Sequence, residues 1–198
     1  MTTIRQVQEI TAHQLALRAL VARDGGTPSP IAGVTLRELR VNRDDRGTLT
    51  ELLRSDWREL YDDRHPFAQA YVSMTAPGVA RDDDRWHVHA HQTDRFYCLA
   101  GAIVVAIADG RASSPTNRQL MLVELSAIAD APAPLVVTIP PGTLHGFVVT
   151  SGVPAMLMNF PTRLYDPADE GRVPFADAGI LTPGGRPFSY DAVRALYA

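Results

Sequence analysis

The chain has 198 residues, 45% of them hydrophobic and 21% charged, and a formal net charge of −3. That composition fits one soluble globular domain with room for a sizeable core, and the scattered basic residues argue against nucleic acid as a partner, because phosphate binding usually needs a clustered basic face. No apolar run approaches the roughly 20 residues that span a bilayer, and the single cysteine, Cys98, excludes an internal disulfide and points to a reducing cytoplasm.

Residues 3–22 carry Ile4, Val7, Ile10, Leu17, Leu20 and Val21 at roughly helical spacing, and Asp24-Gly25-Gly26 ends the run. This predicts an N-terminal amphipathic helix without the apolar core of a signal peptide, then a Gly/Pro/Ser linker to Gly33. From Val34 the texture changes to short β-branched and aromatic runs separated by turn residues. "VTLREL" (34–39), "GTLTELLR" (47–54), "FAQAYVSM" (67–74) and "RFYCLAG" (95–101) begin the series. "AIVVAIAD" (102–109), "PLVVTIP" (134–140), "HGFVVTS" (145–151) and "PAMLMNF" (154–160) continue it. Strands this short and this closely spaced predict an antiparallel sandwich or barrel. Pro140-Pro141-Gly142 and Pro183-Gly184-Gly185 read as turns, and "SYDAVRALY" (189–197) as one closing helix. The expected organisation is a helical extension and linker over 1–33, an all-β barrel over 34–180 and a short tail over 181–198.

The stretch "WHVHAHQTDRFYCLAG" (86–101) sets His87, His89 and His91 at alternate positions, so a strand would aim all three the same way. Imidazoles on neighbouring same-face positions make a chelating pair for zinc, iron, copper or nickel. Gln92-Thr93 offers a turn that would return the Asp94 carboxylate to that pair, and Gly101 permits a tight reversal into the next strand. Downstream, "IPPGTLHGF" (139–147) places His145 just after a Pro-Gly turn. His-x-His-x4-Asp-x6-Gly followed by Pro-x-Gly-x2-His is similar to the two-part signature of the cupins, with Asp94 where their glutamate usually stands. The resemblance implies a double-stranded β-helix barrel whose lumen holds a divalent metal (Fe2+, Zn2+, Mn2+ or Ni2+) on His87, His89, Asp94 and His145. Three nitrogens and one oxygen leave one or two positions open for substrate or water, as a catalytic metal requires. His91 is expected at the barrel mouth as a spare ligand, a proton carrier or a surface residue. Trp86 and Phe147 are expected to face away from the histidines and pack in the core.

Four longer stretches narrow the kind of cupin. "DDRGTLTELLRSDW" (44–57), "IADGRASSPTNRQLMLVELS" (107–126), "IPPGTLHGFVVTSG" (139–152) and "YDPADEGRVPFAD" (165–177) resemble, in order, motifs of the dTDP-4-dehydrorhamnose 3,5-epimerase family. The resemblance implies an RmlC-like cupin, found as a metal-free homodimer, that acts on nucleotide-linked 4-keto sugars. A histidine–aspartate pair removes a proton next to the ketone, a lysine steadies the enolate, and a tyrosine returns a proton on the other face. On matching positions, Arg46, Glu51 and Gln69 would contact substrate. His145 takes the place of the "H-G-F" histidine and Asp177 that of the base aspartate, while either His87 or His89 could stand for the base histidine. The departures fall at the chemistry. The lysine position is Asp94, a reversed charge, and the tyrosine position is Met158 or Asn159, neither of which donates as a phenol does. A metal held by Asp94 and three histidines could replace the lysine as a Lewis acid.

The expected function is therefore a metal-dependent, sugar-nucleotide epimerase-like cupin acting on a carbonyl-bearing small molecule. His91, Asp177 or a metal-bound water would move the proton. An Fe(II)-dependent cupin oxygenase using the same ligands is the alternative, and a non-catalytic metal- or sugar-binding cupin is a third reading. Arg95 is expected on the surface or at the barrel mouth.

Overall fold

A computed structural model describes residues 27–28, 31–58, 60–128, 134–182, 185–195 and 197. The helix expected over 3–22 lies outside them, as do Pro183 and Gly184 of the expected turn. The described strands are β1 (Thr27–Pro28), β2 (Thr35–Glu38), β3 (Val41–Asp44), β4 (Gly47–Thr50), β5 (Tyr71–Thr75), β6 (Arg85–His89) and β7 (Asp94–Ala100). They continue as β8 (Ala102–Asp109), β9 (Leu120–Ser126), β10 (Leu135–Ile139), β11 (Thr143–Val149), β12 (Ala155–Asn159) and β13 (Glu170–Pro174), before the short helix α1 (Tyr190–Arg194). No helix among the described residues is long and apolar enough to cross a membrane.

Two antiparallel sheets form the predicted all-β, RmlC-like jelly-roll barrel. One has six strands in the order β1-β2-β10-β7-β12-β5, the other five in the order β13-β6-β11-β8-β9. The chain changes sheets at Gly101, whose φ of 70° favours glycine. A Cβ there would lie 2.8 Å from Ser151 Oγ and 2.9 Å from Ala155 Cα, so the reversal tolerates no side chain.

The uninterrupted apolar run of β8 has a physical cause: both of its faces are covered. Ile103, Val105 and Ile107 point into the barrel core with Phe96, Val123, Val137 and Leu157. Val104, Ala106 and Ala108 face outward, beneath a second cluster of Trp86, Phe175, Phe188 and Tyr190. Each buried Ile or Val contributes about 1.5–3 kcal/mol relative to exposure. Trp86 packs as expected, stacked 4.8 Å from Phe188. Phe147 instead shares the inward parity of His145 and faces the barrel interior. Gly146, between them, is the only residue type that fits under α1, because a Cβ would approach the Tyr190 hydroxyl to 2.7 Å.

Four strands and one buried arginine depart from the sequence expectation. The run from Gly47 stays strand only to Thr50, where it pairs with β3 in an exposed two-stranded ribbon. β3, β9 and β13 were not predicted. "VNRD" and "EGRVP" lack apolar alternation, and β9 was masked by the polar loop before it. Arg95 is neither at the surface nor at the mouth. It is fully buried, and its guanidinium donates to the Phe160 carbonyl at 2.9 Å and the His65 carbonyl at 2.6 Å.

Candidate active site

Strand pairing assembles the histidines. His87 on β6 and His145 on β11 are direct cross-strand partners, and the pleat returns His89 to the same face two residues on. Ring centroids of His87 lie 4.5 Å from His89 and 5.0 Å from His145, and one ring nitrogen from each of the three lies within 4.8 Å of the others. The facing sheet supplies the carboxylate. Asp94, the first residue of β7, is 2% exposed, with Oδ2 3.2 Å from His145 Nε2 and 3.6 Å from His89 Nε2.

Hydrogen bonding fixes which ring nitrogens carry protons. His145 Nδ1 lies 3.0 Å from the Thr143 carbonyl, which can only accept, so Nδ1 is the donor. A neutral His145 therefore turns the lone pair of Nε2 toward the Asp94 carboxylate. Two acceptors 3.2 Å apart repel unless a cation lies between them, either a proton or a metal. At His89, Gln92 Nε2 donates to Nε2 at 3.1 Å and to Asp94 Oδ1 at 2.7 Å, which leaves the His89 proton on Nδ1. That nitrogen lies 3.4 Å from Asp169 Oδ2, within ion-pair range but not aligned for a hydrogen bond. His87 Nε2 completes the group, 2.8 Å from His89 Nε2. A carbonyl and a carboxylate thus stand behind His145 and His89, orienting their Nε2 atoms as outer partners orient metal-binding imidazoles. The donor set fits a divalent first-row metal.

Burial, followed by the charge of His145, pushes His87 down to about 3, so it is a neutral imidazole. Burial pushes the Asp94 carboxyl up, but the hydrogen bond and charge of His145, the charge of His89 and the Asn159 amide outweigh it and hold Asp94 below its ordinary value. The site opens into a cavity of about 250 Å³ lined by His87, Asp94 and His145, by Tyr71 and Ser73 of β5, and by Glu170 and Arg172 of β13. A larger concavity of about 470 Å³ lies against the β3–β4 ribbon and shares no residue with this site.

The fold thus brings together His87, His89, Asp94 and His145. It does not add the remaining predicted site residues to them. His91 has an exposed side chain after the end of β6, and its backbone N–H donates to Asp169 Oδ1 at 2.7 Å. Asp177 is exposed in the turn after β13. Arg46 is 89% exposed at its side chain and paired with Asp44, and Glu51 accepts from Arg54 at 2.7 Å. Gln69 is half-buried and donates to the Arg163 carbonyl at 3.1 Å. Sequence reasoning missed Gln92, Asn159, Asp169, Tyr71 and Glu170. One signal was legible: Asn159 ends an apolar strand on the inward parity of Ala155 and Leu157, a place where a polar side chain needs a partner.

The family model for dTDP-4-dehydrorhamnose 3,5-epimerase matches residues 28–183. A probable low-salt glycan biosynthesis epimerase from Haloferax volcanii is 41% identical over 148 residues, covering 73% of this chain and 88% of that protein. The dTDP sugar isomerase of Desulfovibrio desulfuricans superposes with a TM-score of 0.68 at 28% identity, covering 82% of this chain and 93% of that one. The dTDP-6-deoxy-D-glucose-3,5-epimerase of Legionella pneumophila, solved with dTDP-4-keto-L-rhamnose, superposes at 0.64 with 28% identity over 74% of this chain and 75% of that one. Motif order, barrel topology and these matches converge: the chain belongs to the dTDP-4-dehydrorhamnose 3,5-epimerase family and is an enzyme of the epimerase/isomerase class.

Proposed function

We propose that the protein is a metal-dependent epimerase of a nucleotide-linked 4-keto sugar. The observation that carries the metal is the convergence of three imidazoles on one carboxylate: His145 Nε2 lies 3.2 Å from Asp94 Oδ2 while its Nδ1 lies 3.0 Å from the Thr143 carbonyl, and one ring nitrogen each of His87, His89 and His145 lies within 4.8 Å of the others. His87, His89, His145 and Asp94 would hold the ion; when bound there, it supplies Lewis-acid polarisation of a carbonyl oxygen. The motif resemblance implies that Asp94 stands at the position of the family's lysine, so the cationic assistance expected of that lysine would come from the same point of the barrel. The dTDP-4-keto sugar bound to the Legionella relative supports a substrate of this class. Family membership favours proton transfer next to a ketone over oxygen chemistry.

A homodimer accounts for the β3–β4 ribbon. The resemblance gives Arg46 and Glu51 a place on substrate, yet neither lines the cavity of its own chain. Reaching a partner's cavity would reconcile the two. A cytoplasmic location suits Cys98, whose burial pushes the thiol up to about 11 and leaves it inert.

Elemental analysis of protein purified without added metal, beside His87→Ala, tests the reading. Near-stoichiometric metal in the wild type and little in the variant are expected. Turnover of dTDP-4-keto-6-deoxyglucose in D2O should add deuterium beside the ketone without consuming oxygen. Full epimerase activity in protein stripped of metal would refute the metal and spare the epimerase.

A further inference from the structure

The family resemblance implies that the proton-returning phenol would fall on Met158 or Asn159, neither of which is one, yet a phenol is present beside Asn159. Tyr71 is the direct cross-strand partner of Asn159 in the β5–β12 ladder. Its hydroxyl oxygen accepts a 2.9 Å hydrogen bond from Asn159 Nδ2, which also donates to Asp94 Oδ1 at 2.8 Å. Because Asn159 supplies the hydrogen of that bond, the O–H of Tyr71 stays uncommitted and free to donate into the cavity that it lines. Asn159 thus fixes the phenol oxygen without consuming its proton. Tyr71 is also 46% exposed, so water can reprotonate it between turnovers.

The facing wall carries the complementary group. β5 and β13 are the edge strands of their respective sheets, and Tyr71 and Glu170 line the cavity from these two edges. Burial, then the charges of Asp94 and Glu170, raise the Tyr71 phenol above its ordinary value and keep it protonated, as an acid requires, against the lowering effect of Asn159.

We propose that Tyr71 is the catalytic acid of the epimerisation, supplied from the strand next to the one that lost its phenol, with the Glu170 carboxylate as the proton acceptor across the cavity. The assignment rests on the epimerase reading above. Glu170 takes the C–H proton beside the ketone, the C–H electron pair becomes the C=C bond of the enolate, and the carbonyl π pair moves onto oxygen. That pair then returns, and the carbon takes the Tyr71 hydroxyl proton on its other face. The phenolate regains a proton from water and Glu170 releases one to water, so the substrate gains and loses one hydrogen.

Tyr71→Phe keeps the ring and removes the donor. With dTDP-4-keto-6-deoxyglucose in D2O, followed by proton NMR, inverted product should fall at least about 100-fold. Deuterium wash-in beside the ketone should stay within about tenfold of wild type, because abstraction and same-face return survive. Metal content should equal that of the wild type. Inverted product at the wild-type rate would overturn the assignment, and so would joint loss of exchange and product, which would make Tyr71 a binding residue. A wild-type protein inert toward this probe would overturn the epimerase reading, and the assignment with it.

Discussion

Asp109 and Asp94 are both buried carboxylates in barrel strands, one closing β8 and the other opening β7, but their surroundings differ. Asp109 accepts from Arg111 Nε at 2.8 Å and Nη2 at 2.9 Å, from the Ser114 and Thr116 hydroxyls, and from the Arg111 backbone N–H at 3.1 Å. Its counter-charge is in contact, and Arg111 and Thr116 also bond the Ala32 backbone, tying the segment before β2 to the end of the barrel. Asp94 receives two neutral amides on Oδ1, while Oδ2 faces imidazole nitrogens. A carboxylate that is fully paired holds a fold together. One whose second oxygen faces imidazole nitrogens is placed for chemistry. The "S-P-T" stretch, read as a family signature, is the scaffold for the first, and the histidine strand builds the second.

Exchanging each aspartate for asparagine breaks or sharpens that contrast. Asp94→Asn should have the largest effect on function, with turnover lost by roughly 1,000-fold and metal content below about a tenth of wild type. The same change should stabilise metal-free protein by about 1 kcal/mol in urea titration, since the new amide can donate to His145 Nε2. A loss of stability would erase the distinction drawn here. Asp109→Asn should do the reverse, costing about 3 kcal/mol of unfolding free energy while metal per folded chain stays unchanged. Burial pushes the Asp109 carboxyl up, but Arg111, Ser114 and Thr116 together hold it well below its ordinary value of 3.8. Its stabilisation is therefore present above that unfolded value and lost as the pH falls toward the folded one. Wild-type stability should drop below about pH 4, and the Asp109→Asn profile should be flatter there. The smallest effect belongs to the ribbon. Arg46→Ala should leave the melting temperature and metal content unchanged and raise KM about tenfold. An unchanged KM would remove the ribbon from the substrate.

Much of this was legible in the chain. Alternation placed His87 and His89 on one face and a dipeptide turn returned Asp94 toward them, both local signals, whereas the meeting of His145 with them was implied by the cupin resemblance. What escaped was carried through space. Asn159 and Tyr71 meet across a ladder, and Asp169 reaches the histidine strand from about 80 positions downstream by bonding the His91 and Gln92 backbone. No period or spacing announces such contacts. Phe147 packs in the core as expected, but on the histidines' face rather than the opposite one, because it lies two residues from His145 and strand parity puts both on one side.

β6 runs beside β13 over five residue pairs but meets β11 at one, His87 with His145. An ion gripping His87 and His89 from that ribbon, and His145 and Asp94 from the barrel proper, would act as a rivet across the weakest seam of its sheet. If the proposed ion binds there, protein without it would fray first along this seam, from His89 to the edge at Pro174. Under that proposal, the ion's occupancy would set how long each folded molecule lasts as well as how fast it works.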